Sequence, residues 1–130
     1  MDKNLMNISK IETFFNALLD EKVSKNTFFT DLPPAIDASW TDMVVVDCAN
    51  AISDMDACGK GTVLIFLYTK LRSDGGKNVA KMTELEQSLN NCIASNDSKT
   101  YIINRANTYA DYDENRNLHC NIVVLNLIIV

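Results

Sequence analysis

The chain has 130 residues, 47% of them apolar, and a net charge of −5 from 12 basic and 17 acidic side chains. That length suits one domain, residues 1–130, and is too short for two, while the apolar content excludes a disordered chain. The acidic balance argues against a free-standing nucleic-acid binder, which needs a basic stripe; Lys77 and Lys81 are the nearest thing to a basic pair.

The first element reads as a helix opened by Ser9 and Glu12, whose spacing fits a capping box. Ile11, Phe14, Phe15, Leu18 and Leu19 follow at helical spacing. Thr27–Thr30 is a short extended piece, and Asp31-Leu32-Pro33-Pro34 stops regular structure because proline removes a donor and restricts its predecessor. The chain from 27 to 40 has no further assignment. Thr41–Ala51, with its Met43-Val44-Val45-Val46 run, reads as a strand. Ser53–Gly61 is a connection rich in Asp and Gly, and Thr62–Leu71 is a second strand. The connection is too short for a crossover helix, so these strands pair antiparallel.

Val79, Met82, Leu85, Leu89, Cys92 and Ile93 form the stripe of a second helix, with Glu84 and Glu86 off it and solvated. Tyr101-Ile102-Ile103 begins another strand, Tyr109–Asn117 reads as an acidic loop, and Leu118–Val130 is the last strand. The order predicts an α+β domain: an antiparallel sheet of four to five strands with two helices packed on it.

Thr62–Leu71 and Leu118–Val130 are apolar at both odd and even positions. An antiparallel sheet usually shows one dry face and one wet face. Two readings stand equally: the sheet is covered on both sides by its own chain, or a partner subunit covers one face.

The chemistry-bearing residues make no catalytic set. The single His and four Cys leave few constellations to build, and no C-x-x-C pair is present. His119 and Cys120 are adjacent, so on a strand they point to opposite faces and cannot grip one metal. The cysteines read as small buried thiols in a reducing compartment. Asp111, Asp113 and Asn115 stand where a calcium loop has its first ligands, but Arg116 replaces the turn glycine and Ile122 the closing Glu. Gly59-Lys60-Gly61-Thr62 has the letters of a phosphate loop, but Asp54 stands where its first Gly belongs and a strand follows it. Neither metal nor cofactor is expected. The N-terminus lacks a signal peptide's apolar core, and Ile122–Val130 is too short to cross a membrane as a helix.

The whole chain resembles the tail terminator, or tail completion, proteins of long-tailed bacteriophages. The resemblance is carried by Ile8–Leu19 as opening helix and by Thr27–Pro33 leading into the sheet. Met43–Cys48 with Thr62–Leu71 form a central hairpin, Val79–Ile93 a covering helix, and Tyr101–Val130 a closing hairpin. It implies a structural protein and not an enzyme: a ring, typically a hexamer, that caps the tail tube, joins it to the head-completion proteins, and passes from the host cytoplasm into the virion. The interface residues expected on this basis are Asp54, Asp56 and Lys60 in one loop, Asp111, Asp113 and Glu114 in the other, and Phe66 and Tyr68 on the strand between. Two other classes compete: a small ligand-binding or enzymatic domain with a pocket near Trp40, Tyr68 and His119, and a host adaptor domain.

Overall fold

The computed structural model describes residues 8–52 and 59–130. Seven elements follow in order: α1 (Ile8–Leu19), β1 (Thr27–Phe29), β2 (Asp42–Ile52), β3 (Gly59–Lys70), α2 (Val79–Ala94), β4 (Tyr101–Asp113) and β5 (Leu118–Ile129). The strands form one five-stranded sheet in the order β1-β2-β3-β5-β4. The α+β expectation holds. One pair departs from the antiparallel rule: β1 runs parallel to β2, with Thr27 beside Val44 and Phe29 beside Val46.

Alternation along the strands explains the sheet's two sides. Val44, Val46 and Cys48 of β2, Val63, Ile65 and Leu67 of β3, and Val123, Leu125, Leu127 and Ile129 of β5 point to one side. There they bury against Ile11, Phe15 and Leu19 of α1 and Met82, Leu85, Leu89 and Cys92 of α2. α1 lies over β2 and α2 over β3. Both helices are therefore on one side, which we call the helix side.

The other side is covered by the segment that the sequence left unassigned. Residues 30–41 cross it as a strap, and Leu32, Ile36 and Trp40 pack on Met43, Val45, Tyr68, Leu118 and Cys120. Trp40 meets Phe28 with ring centroids 5.4 Å apart. Lys70 fastens the strap by donating from Nζ to the carbonyl oxygens of Asp37 and Ala38, at 3.0 and 2.8 Å. The two prolines keep this segment out of the sheet, so side-chain burial holds it instead of a strand ladder.

Three boundaries and the exposure of one residue differ from the sequence reading. α1 includes Ser9, so Ser9 is not the residue that caps it. α2 is capped by Asn78, whose side chain accepts from the Lys81 amide, and its stripe begins at Met82, leaving Val79 62% exposed. Glu86 is half-buried and bonded rather than solvated. β4 runs on to Asp113, so the loop expected at Tyr109–Asn117 shrinks to a turn at residues 114–117. A bulge between Arg105 and Thr108 lets this polar sequence stay paired with β5 by shifting its register. Asn117 closes the turn at φ 54°, a conformation Asn tolerates better than most residues.

Candidate interface surfaces

Among the described residues, Lys60 and the group Asp111, Asp113 and Glu114 fall at opposite ends of the sheet. Asp54 and Asp56 lie outside the described residues. Lys60 sits exposed near the start of β3, paired in register with Ile128. Asp111 and Asp113 are on β4, not in a loop, and Glu114 is in the turn that follows. Asp113 is level with Leu118, which is level with Lys70 at the far end of β3. Ten strand steps separate Lys60 from Lys70, roughly 33 Å. Lys60 and the Asp111–Glu114 group therefore lie at separate poles, not in one site.

Phe66 and Tyr68 both point to the strap side. Tyr68 is covered by the chain itself and is 9% exposed. Burial pushes its phenol well above the usual tyrosine range, and neighbouring Cys120, Asp113 and Asp31 push the same way. Burial, helped by Asp111, likewise pushes the Cys120 thiol up to about 12. Both groups stay neutral at ordinary pH and pack in the core beneath the strap. At the turn, partial burial works against the Asp113 carboxylate, but hydrogen bonds from Arg116 outweigh it and hold its pKa low. The Arg116 amide and guanidinium lie 3.1 and 2.9 Å from Asp113.

Beyond the strap, the same side of the sheet carries a bare apolar band. Leu64, Phe66, Ile122, Val124 and Ile128 are only half-buried there, and Ile102 and Tyr109 are 44% and 55% exposed. Polar side chains of Thr62, Asn126 and Asn104 cross this band as one row over three strands, beside a cavity of 510 Å³.

Trp40, Tyr68 and His119 do not line one pocket. Trp40 and Tyr68 are on the strap side, whereas His119 is level with Thr69 on the helix side and touches the Tyr112 ring. Trp40 does border an open cavity of 420 Å³ with Ser24, Asn26, Asp42 and Lys81. Two of its four charged members are committed to each other: Lys81 Nζ is 3.2 Å from Asp42 Oδ2, while Glu21 and Lys25 also line it. Among the described residues no group of three or more His, Cys, Asp or Glu is placed to hold a metal, and no helix is long and apolar enough to cross a membrane.

A surface absent from the sequence reading is the outer edge of β4. This strand ends the sheet, and every residue from Asn104 to Tyr112 is exposed. Its charge guard is turned inward, because Arg105 bonds Asn90 and Thr108 and pairs with Glu86. No period of two marks a strand in 106–112, where Tyr109 and Tyr112 are three apart and face opposite sides of the sheet.

Together these features define an α+β protein with a helix-backed sheet, two polar poles and an open sheet edge. No family model matches the chain, and no curated protein matches it. Among solved structures, the chain is similar to a chain of the virion of a native gene transfer agent particle. The TM-score is 0.58 at 16% identity, over 87% of this chain and 84% of that one. The two share a fold.

Proposed function

We propose that this is a structural protein of a phage-like virion, working as a tail terminator: a ring that caps the tail tube and joins it to the head. The observation that carries the reading is the fold shared, over most of both chains, with a chain of a gene transfer agent virion. Three features of the chain support it. The two polar poles, roughly 33 Å apart, give a disc-like subunit one end for the tube and one for the head. The bare band and the open β4 edge are surfaces that self-assembly covers. The acidic balance keeps a ring lumen from holding passing DNA. On this reading the chain acts by assembly and not by catalysis, its partners are its own copies, the tail tube and head-completion proteins, and it moves from host cytoplasm to virion.

Light scattering over a wide concentration range, with negative-stain imaging of the protein mixed with tail tubes, tests the proposal. Rings at tube ends are the expected result. A strict monomer that ignores tubes and binds a small molecule in the Trp40 cavity overturns it in favour of a ligand-binding domain.

A further inference from the structure

The two lateral borders of the sheet differ in a way that fits one to the other. At one border, β1 is short and α1 overhangs the neighbouring β2. The outer flank of α1 and the β1 border enclose a groove of 260 Å³ lined by Ser9, Glu12, Thr13, Asn16 and Phe29. At the other border, β4 is 13 residues long, and the helix contacts on it fall in its first half, at Tyr101, Ile103 and Arg105. Its helix-side positions Thr108 and Ala110 are small and exposed. One border carries an overhanging helix, and the other a bare strand with room beneath one.

Strand direction allows the two borders to join. β1 and β2 run one way, β3 the opposite way, β5 again with β2, and β4 with β3. A second copy placed beside β4 by rotation about an axis along the strands therefore presents its β1 antiparallel to β4, the commoner and slightly more stable pairing. If the ring axis lies along the strands, with no tilt, rotation without a shift continues the cross-strand rows from copy to copy. Within one chain, Thr27, Val44, Leu67, Asn121 and Ala110 share a row, and so do Phe29, Val46, Ile65, Val123 and Thr108. The row between them begins at Phe28 and ends at Tyr109.

We propose that β4 of one copy pairs antiparallel with β1 of the next, with Ala110 opposite Thr27, Tyr109 opposite Phe28 and Thr108 opposite Phe29. This rests on the ring reading and names the border that makes it. The side-chain pairs agree with the register. Tyr109 and Phe28 both point to the strap side and meet as an aromatic pair. Thr108 leaves room for Phe29 on the helix side. The exposed Lys25, two residues before Thr27, comes level with the exposed Tyr112. The contact is head-to-tail, the kind that closes into rings.

The test is a double variant, Thr27→Cys with Ala110→Cys. Opposed residues of an antiparallel pair have Cα atoms about 4.5–5.5 Å apart, within disulfide reach. Mild oxidation of the assembled protein should give a covalent ladder that ends at the ring size, and neither single variant should give it. Ala110→Lys, a charge on an exposed edge position, should keep the wild-type melt and abolish rings. Rings seen by scattering and imaging without the ladder overturn the border assignment and leave the ring reading in place. Dimers from Ala110→Cys alone overturn it in favour of β4 pairing with itself. No rings of the wild-type chain, in solution or on tail tubes, overturn the ring reading itself.

Discussion

Asn121 on β5 donates from Nδ2 to Glu86 Oε1 on α2 across 3.1 Å. Asn121 precedes a run of apolar helix-side positions, Val123, Leu125, Leu127 and Ile129, and its own Oδ1 is buried without a partner. The same Glu86 oxygen is 3.7 Å from Arg105 Nη2 on β4. One carboxylate thus connects the covering helix to both β5 and β4.

Glu86→Ala should therefore cost about 1–3 kcal/mol, because it leaves a second polar atom of Asn121 unmet. Urea melts of the variant measure this. A change of a few tenths of a kcal/mol would mean that water already serves the carboxylate. Asn121→Leu should be close to neutral, since it removes the buried amide together with its demand.

On the same helix, Leu85→Asp and Met82→Asp should abolish folding. Both side chains are almost completely buried, and an unpaired buried carboxylate costs several kcal/mol against a total stability of about 5–15 kcal/mol. Val79→Asp should be tolerated, because Val79 is 62% exposed and stands at the helix N-terminus, where an acid is favoured. Circular dichroism separates the two outcomes, and equal loss from all three changes would mean that the buried stripe starts one turn earlier.

The stripe shows how far the sequence can be read. Met82, Leu85, Leu89 and Cys92 recur at helical steps because their burial is local to one helix face, and period alone finds them. The apolar positions on both sides of β3 and β5 were legible for the same reason. What covers the second side was not, because the strap is held by long-range burial of Leu32, Ile36 and Trp40 and has no period. β4 beyond Ile103 was hidden differently. Its partner β5 supplies the ladder, so Asn104, Arg105, Asn107 and Asp111 are strand residues despite poor propensity. The poles were named from loop composition, but the open β4 edge and the Arg105–Glu86–Asn121 link depend on strand order, which no local pattern encodes.

Asp42 and Lys81 should give stability a pH plateau with two shoulders. Burial works against Asp42, yet hydrogen bonds from Ser24, Lys81 and Thr41 outweigh it and lower its pKa below 3.8. A lowered acid contributes stability above its unfolded pKa and loses it as pH falls through the folded value. The hydrogen bond to Asp42 raises Lys81 above 10.5, so its share is present below that pH and lost as pH rises through the folded value. Lys81→Met should flatten the alkaline shoulder and shift part of the acid one upward. Unchanged shoulders would assign them to other groups.

Chelator and reductant should leave the thermal melt unchanged, because among the described residues the buried Cys92 and Cys120 form no disulfide and no metal-binding group is placed. Cys92 and Cys120 are buried, with thiol pKa values pushed up first by burial, so they should resist alkylation in the native state and react only in denaturant. Mass spectrometry after iodoacetamide treatment checks this. Rapid native labelling of Cys120 would show that the strap opens.

Thr30→Gly should hold or raise stability, which is unusual for a change to glycine. Thr30 joins β1 to the strap with φ at 76°, a left-handed conformation that a β-branched residue adopts at a cost of about 1–2 kcal/mol. The turn is needed there: the Thr30 amide donates to the Val46 carbonyl at 2.8 Å, and the chain must then leave the sheet for the strap. Glycine removes the Cβ conflict and keeps that bond. Against this stands its greater freedom in the unfolded chain, about 0.4–1 kcal/mol. The side chain is exposed, so little packing is lost. The balance is a gain of up to about 1 kcal/mol, read as a higher urea midpoint at constant m-value. Thr27→Gly, within β1 where no left-handed φ is required, should lower the midpoint. A fall of similar size in both variants would show that the left-handed conformation at Thr30 is not a strain that glycine relieves.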